Sequence, residues 1–122
     1  MQWWPEYFGD VDTMQSEKYG RWFADNIDLQ FNSEPVIEGK AAVLAFLLEF
    51  TKSFKQIEHS HGALVAEGNH AAGEAVITFT GTGDAKVAVR GVTMVTREHG
   101  LFRRMAIFAD FSAVYAALAQ AG

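Results

Sequence analysis

From Gln56 onward the chain is written as a meander. Four runs of alternating character, Ile57–Glu67, His70–Thr80, Ala85–Thr96 and Phe102–Asp110, are separated by Gly68-Asn69, Gly81-Thr82-Gly83-Asp84 and Glu98-His99-Gly100. Each link offers Gly or Asn where a tight turn needs positive φ, so consecutive runs pair antiparallel. The segment before the meander has the other periodicity. Val43, Phe46, Leu47, Phe50 and Phe54 repeat at helical spacing, and Leu44 and Leu48 widen the stripe, so Lys40–Phe54 reads as one helix. Its polar face is narrow (Lys40, Glu49, Lys52), and such a helix must bury itself against a sheet. Helices on one side of an antiparallel sheet make the fold class α+β.

The remaining elements are shorter. Gln2–Phe8 reads as a short helix or arm ended by Gly9. Asp10 or Asp12 then caps a second helix running to about Phe23. Ile27–Phe31 alternates as a strand, Asn32-Ser33-Glu34-Pro35 turns the chain, and Val36-Ile37 is a second short strand. An Ala-rich helix, Ser112–Gln120, closes the sequence. No repeat, linker or low-complexity segment divides the 122 residues, which suit one domain, 1–122.

Composition narrows the function classes. A net charge of −5, without a basic cluster, argues against a nucleic-acid surface. No apolar run is long enough to span a membrane and the first residues lack signal-peptide regions, so a soluble, cytoplasmic protein is expected. The absence of cysteine removes thiolate chemistry. Aromatics reach 13%, ten of them Phe, which predicts a dense core or an aromatic-walled cavity.

Several local patterns then fall in a familiar order. Gly9-Asp10-Val11-Asp12 with Trp22-Phe23-Ala24-Asp25-Asn26, Ile37-Glu38-Gly39-Lys40 entering the long helix, Glu98-His99-Gly100, and Phe108-Ala109-Asp110-Phe111 near the end together resemble the nuclear transport factor 2-like superfamily, in its SnoaL-like branch. The resemblance covers nearly the whole chain. It implies a cone-shaped fold with a curved sheet wrapped over helices, an apolar pocket between them, and homodimers through the outer sheet face. It implies no single activity, since members include cyclases, isomerases, hydrolases and non-catalytic binders.

Aligned with ketosteroid isomerases, the base position falls at Phe31 and the two donor positions near Gln2 and Val92, none of the required type. Aligned with limonene epoxide hydrolases, Asn32 and Gln30 fall on the water-holding positions and Asp110 and Glu74 on the carboxylates. The bridging Arg position is Ala72, for which Arg90 could substitute if Glu74 pairs with it across a hairpin of three loop residues.

Asp110 shares strand parity with Ala106 and Phe108, so it is expected on an apolar cavity wall with a raised pKa, as acid or base. A helix cap is the competing reading. Glu74, by parity with Val76 and Thr78, has an outer-face alternative, and Asn32 a turn alternative. The expected catalytic set is thus Asp110, Glu74 and Asn32. The expected substrate-binding set is Gln30, Phe31, Trp3, Trp22, Val92, Phe108 and Arg90, with Trp4 and Tyr7 sharing the aromatic roof. His59 and His61 share a strand face, and with His70 could suggest a metal. Without a third ligand they read instead as exposed or pocket-lining polar groups, so no metal or cofactor is expected. The expected ligand is a small apolar or carbonyl-bearing molecule, either converted or only bound.

Overall fold

The computed structural model describes residues 1–121, with side chains described as far as residue 117. The order is α1 (Trp3–Asp12), α2 (Ser16–Tyr19), a 3₁₀ turn (Gly20–Trp22), β1 (Phe23–Phe31), β2 (Ile37–Glu38), α3 (Lys40–Thr51), β3 (Phe54–Glu67), β4 (His70–Gly81), β5 (Lys86–Glu98), β6 (Leu101–Ala109) and α4 (Ser112–Ala121). The strands form one curved six-stranded sheet in the order β2-β1-β6-β5-β4-β3. The meander is antiparallel throughout, while β1 runs parallel to β6.

The N-terminus departs from the sequence reading. Gly9 does not end the first helix. An interior Gly costs about 1 kcal/mol against Ala, and burial of Trp4, Tyr7 and Phe8 on the same helix offsets that. The helix runs three residues further, to Asp12, and Met14 just beyond it takes φ 60°. Asp10 and Asp12 therefore stand in the last turn of α1 rather than capping the next helix. Carboxylates there oppose the helix dipole, so both need partners from elsewhere. Further along the chain, the long helix stops at Thr51, and Phe54 opens β3 instead.

Pleating sorts the sheet into two faces. Ile77, Phe79, Val95 and Met105 point inward and are buried. They meet the helices in two aromatic clusters. One gathers Trp4, Tyr7, Phe8, Tyr19, Phe23 and Phe102 around α1 and α2. The other gathers Phe31, Phe54, Ile57, Phe79 and Phe111 toward α4. Glu74, Val92 and Phe108 form a cross-strand row pointing the other way. Val65, Val92, Met94 and Phe108 on this outer face remain exposed.

Candidate functional site

The interior cavity lies at the seam between the two clusters. It has a volume of ≈ 80 Å³, above the roughly 30 Å³ share of one water molecule and below the ~300 Å³ at the low end of ordinary ligand pockets. Tyr7, Phe8, Tyr19, Phe31, Ile77, Phe79 and Phe111 make most of its wall, and Met14 and Met105 lie among them.

Polar groups on this wall are few. His59, on β3, is the one imidazole among the lining residues. It shares inward parity with Ile57, which sits opposite Phe79. Its Nδ1 lies 2.6 Å from Asp12 Oδ1, and its backbone N–H donates to Asp12 Oδ2 at 3.0 Å. An ionised carboxylate can only accept, so Nδ1 carries the proton and Nε2 keeps a lone pair. The His59 side chain is 9% exposed and that of Asp12 27%. This pair also satisfies a carboxylate placed at the unfavourable end of α1.

His61, two residues along, lies nearly parallel to His59 with ring centroids 6.3 Å apart, and both rings contact Phe8. Burial, and next the neighbouring His59, push the His61 pKa down. His70 is elsewhere, bonded to Thr96 Oγ1 at 3.0 Å. Among the described residues no group of three His, Cys, Asp or Glu side chains is placed to hold a metal ion.

Two phenols, with Thr51 and Thr93, make up the rest of the polar lining. Tyr7 Oη donates to the Met105 sulfur at 3.4 Å. Tyr19 Oη is buried and has no hydrogen-bond partner. Burial, aided by the nearby Tyr19 phenol, holds Tyr7 well above the usual phenol range, and burial likewise raises Tyr19. Both are therefore neutral hydrogen-bond donors at any working pH.

The residues expected from sequence are not gathered at this cavity, with the exceptions of Phe31 and Tyr7. Asp110 is exposed, and its Oδ1 accepts from the Ser112 amide at 2.9 Å and from the Ser112 hydroxyl. These bonds lower its pKa, the reverse of the expected rise. Asp110 lies one residue past the end of β6, and Phe108, with which the sequence reading grouped it, is on the outer face. Glu74 is outside as well, where its Oε1 accepts from the Ala63 amide at 3.1 Å and supports an irregularity in β3. Glu74 does not pair with Arg90. The hairpin closes at Thr80↔Lys86, which sets Glu74 opposite Val92 and Val76 opposite Arg90. Asn32 takes φ 50°, and its Oδ1 accepts from the Ala109 amide at 2.9 Å, extending the β1–β6 pairing past the strand end. Gln30 ties the following turn through the Asn32 and Glu34 carbonyls at 2.6 and 2.7 Å.

Trp3 and Trp22 do not roof the cavity. Trp3 packs edge-on against Phe102 at 5.6 Å, under the Arg97 guanidinium at 4.3 Å. Trp22 donates to Asp10 Oδ2 at 2.8 Å. Of the expected roof residues, Tyr7 lines the cavity. Glu74, Arg90, Val92 and Phe108 do meet, but around a shallow depression of ≈ 330 Å³ on the outer face.

Comparison with known proteins agrees with this mixed α+β fold. A family model for the SnoaL-like domain matches residues 6–105. The chain belongs to the SnoaL-like family. Among solved structures, this SnoaL-like domain is similar to a protein named as a SnoaL-like polyketide cyclase from Jannaschia sp. CCS1, at 22% identity over 84% of this chain and 76% of that one, with a TM-score of 0.73. It is similar also to an NTF2-like protein of unknown function from Burkholderia pseudomallei, at 11% identity over 97% and 95% of the two chains, with a TM-score of 0.83. TerC, crystallised with polyporic acid, matches at 12% identity over 93% and 92%, with a TM-score of 0.79. At these identities the likeness establishes the fold. No curated protein matches the SnoaL-like chain in sequence.

Proposed function

We propose that this SnoaL-like domain binds a small, largely apolar, carbonyl-bearing molecule and transfers a proton on it, with His59 as the acid/base and Asp12 as its orienting partner. The observation that carries the reading is the 2.6 Å contact between His59 Nδ1 and Asp12 at the wall of an otherwise greasy cavity. A carboxylate on Nδ1 fixes the tautomer and the ring's orientation, which leaves Nε2 to exchange the proton. Nε2 takes a proton from a carbon next to the carbonyl, and the C–H electron pair moves into the enolate. Return of that proton to another carbon completes an isomerisation; attack of the enolate carbon on a second carbonyl closes a ring, the π pair of that carbonyl moving onto its oxygen, which takes the proton back from Nε2. The polyketide-cyclase names borne by several structural neighbours agree with this chemistry. Asp110, Glu74 and Asn32 have no part in it.

Exchange of ketone α-protons in deuterium oxide tests the reading without a known substrate. Over a panel of small cyclic ketones, the wild type accelerates exchange for at least one by about 100-fold or more over buffer. His59→Gln abolishes the acceleration, and Asp12→Asn cuts it severalfold. Rates in the wild type no higher than in His59→Gln, across the panel, leave a non-catalytic binding module.

We propose also that the domain pairs with a second copy of itself through the outer sheet face. Val65, Val92, Met94 and Phe108 are exposed there. Glu74 and Arg90 flank Val92 with opposite charges at the same depression, an arrangement that complements itself about a two-fold axis.

A further inference from the structure

One polar atom in the cavity wall is left without a partner. Tyr19 is 4% exposed, its hydroxyl is sealed from solvent, and no hydrogen-bond acceptor reaches it. Leaving such a donor unmatched costs stability, and a phenylalanine would avoid that cost at the same size. The neighbouring donor is poorly matched too. The acceptor for Tyr7 is the Met105 sulfur at 3.4 Å, a weak acceptor on an unbranched, adaptable side chain. Tyr7, Tyr19 and Met105 line the same cavity. Two neutral phenols, one without a partner among the described residues and one donating only to a sulfur, therefore share this position in the fold, the wall of one cavity.

We infer that this position is an oxygen subsite: a ligand carbonyl displaces the Met105 thioether and accepts hydrogen bonds from both Tyr19 and Tyr7. Tyr19 is then a specificity-determining residue that selects oxygen-bearing ligands over hydrocarbons of the same shape. This deepens the proton-transfer reading and rests on it for the ligand class. In that chemistry the same two donors hold the oxygen on which charge collects when His59 removes a proton. Oxygen recognition stands on different atoms from the base, so the two can fail separately.

The test compares two probes of one shape, cyclopentanone and methylenecyclopentane, titrated into wild type, Tyr19→Phe and Tyr7→Phe and followed by amide chemical shifts. Thermal melting of each variant is recorded without probe. The expected result is a split. Tyr19→Phe weakens cyclopentanone by about fivefold to tenfold, the size of one lost hydrogen bond, and leaves methylenecyclopentane unchanged or tighter. Bound 13C-labelled cyclopentanone shows a carbonyl stretch at lower frequency in wild type than in Tyr19→Phe. Tyr19→Phe also melts higher than wild type by about 3 °C, because the unmatched hydroxyl is gone; Tyr7→Phe repeats the selectivity change. A merely structural Tyr19 gives the opposite pattern: a lower melting temperature, with both probes weakened equally or neither affected. That pattern, or an unchanged carbonyl frequency, overturns the subsite. Deuterium exchange that persists in Tyr19→Phe while this selectivity is absent spares His59 and sinks only the subsite. Selective ketone binding without exchange does the reverse.

Discussion

Gly62 and Gly73 lie on the two strands of one hairpin, yet replacing them has different consequences. A Cβ at Gly73 would come within 2.6 Å of Trp4 Cζ2 and 2.9 Å of Cε2, part of a rigid buried indole. A Cβ at Gly62 would meet Glu74 Cγ and Oε1 at 2.9 Å, the end of a flexible exposed side chain. Overpacking against a ring that cannot move costs about 1–3 kcal/mol, while a surface carboxylate can swing aside. Gly73→Ala is expected to lose about 2 kcal/mol in urea denaturation, and Gly62→Ala under half of that. The same contrast explains which site residues were legible. Inward parity with Ile57 was visible for His59 in the sequence, and so was its ability to line a pocket. Its partner was not, because Asp12 is 47 residues away and was read as a cap. Two acids in the final turn of a helix are a signal for tertiary partners, but only once the helix is known to run through Gly9.

At the level of elements, Asp10 joins the end of α1 to the 3₁₀ turn. Its Oδ2 accepts from Trp22 Nε1 at 2.8 Å and from Arg21 at 3.1 Å. The indole hydrogen bond, more than the Arg21 charge, depresses its pKa below the ordinary carboxylate value of 3.8. A depressed acid stabilises the fold fully above its unfolded pKa and loses that contribution as pH falls through the folded one. Asp10→Asn is therefore expected to be less stable than wild type at pH 7 by about 1 kcal/mol. The gap should close between about pH 4 and pH 2, followed by chemical denaturation across that range. Strand limits were read well from turn chemistry: His99 and Gly100 take φ 53° and 79° in the last hairpin, as the sequence suggested. The β4–β5 hairpin shows where that reading ends. Its turn closes at Gly81 and Ala85, with Gly81 N–H donating to the Ala85 carbonyl at 2.9 Å. The wider loop shifts the register by two residues. Parity survives a shift of two and partners do not, so Glu74 stayed on its face but lost Arg90.

For the whole molecule, the question is what covers the outer sheet. Phe108 is 41% exposed and Val65 67%, on the face that points away from the two core clusters. If a second copy covers it, Phe108→Glu places a carboxylate in the contact without touching the core. The wild type is then expected to sediment as a dimer at micromolar concentration and Phe108→Glu as a monomer with an unchanged circular dichroism spectrum. A wild type that sediments as a monomer at every concentration up to about 100 µM, far above the dissociation constants of stable interfaces, removes the dimer. Among the described residues no helix is long and apolar enough to cross a membrane.

Periodicity and turn chemistry were enough for the sequence to determine the meander and the long apolar helix before it, while the family entered through a resemblance in the order of several short motifs. These are local properties, carried by side-chain alternation and by residues that tolerate positive φ. Which apolar face became a cavity and which became an exposed surface was settled only in three dimensions, because strand parity names two faces without saying where the helices lie. The pairing of Asp12 with His59 and the unmatched hydroxyl of Tyr19 were settled there too. Hydrogen-bond partners depend on distances across the core, and nothing in the order of residues encodes those directly.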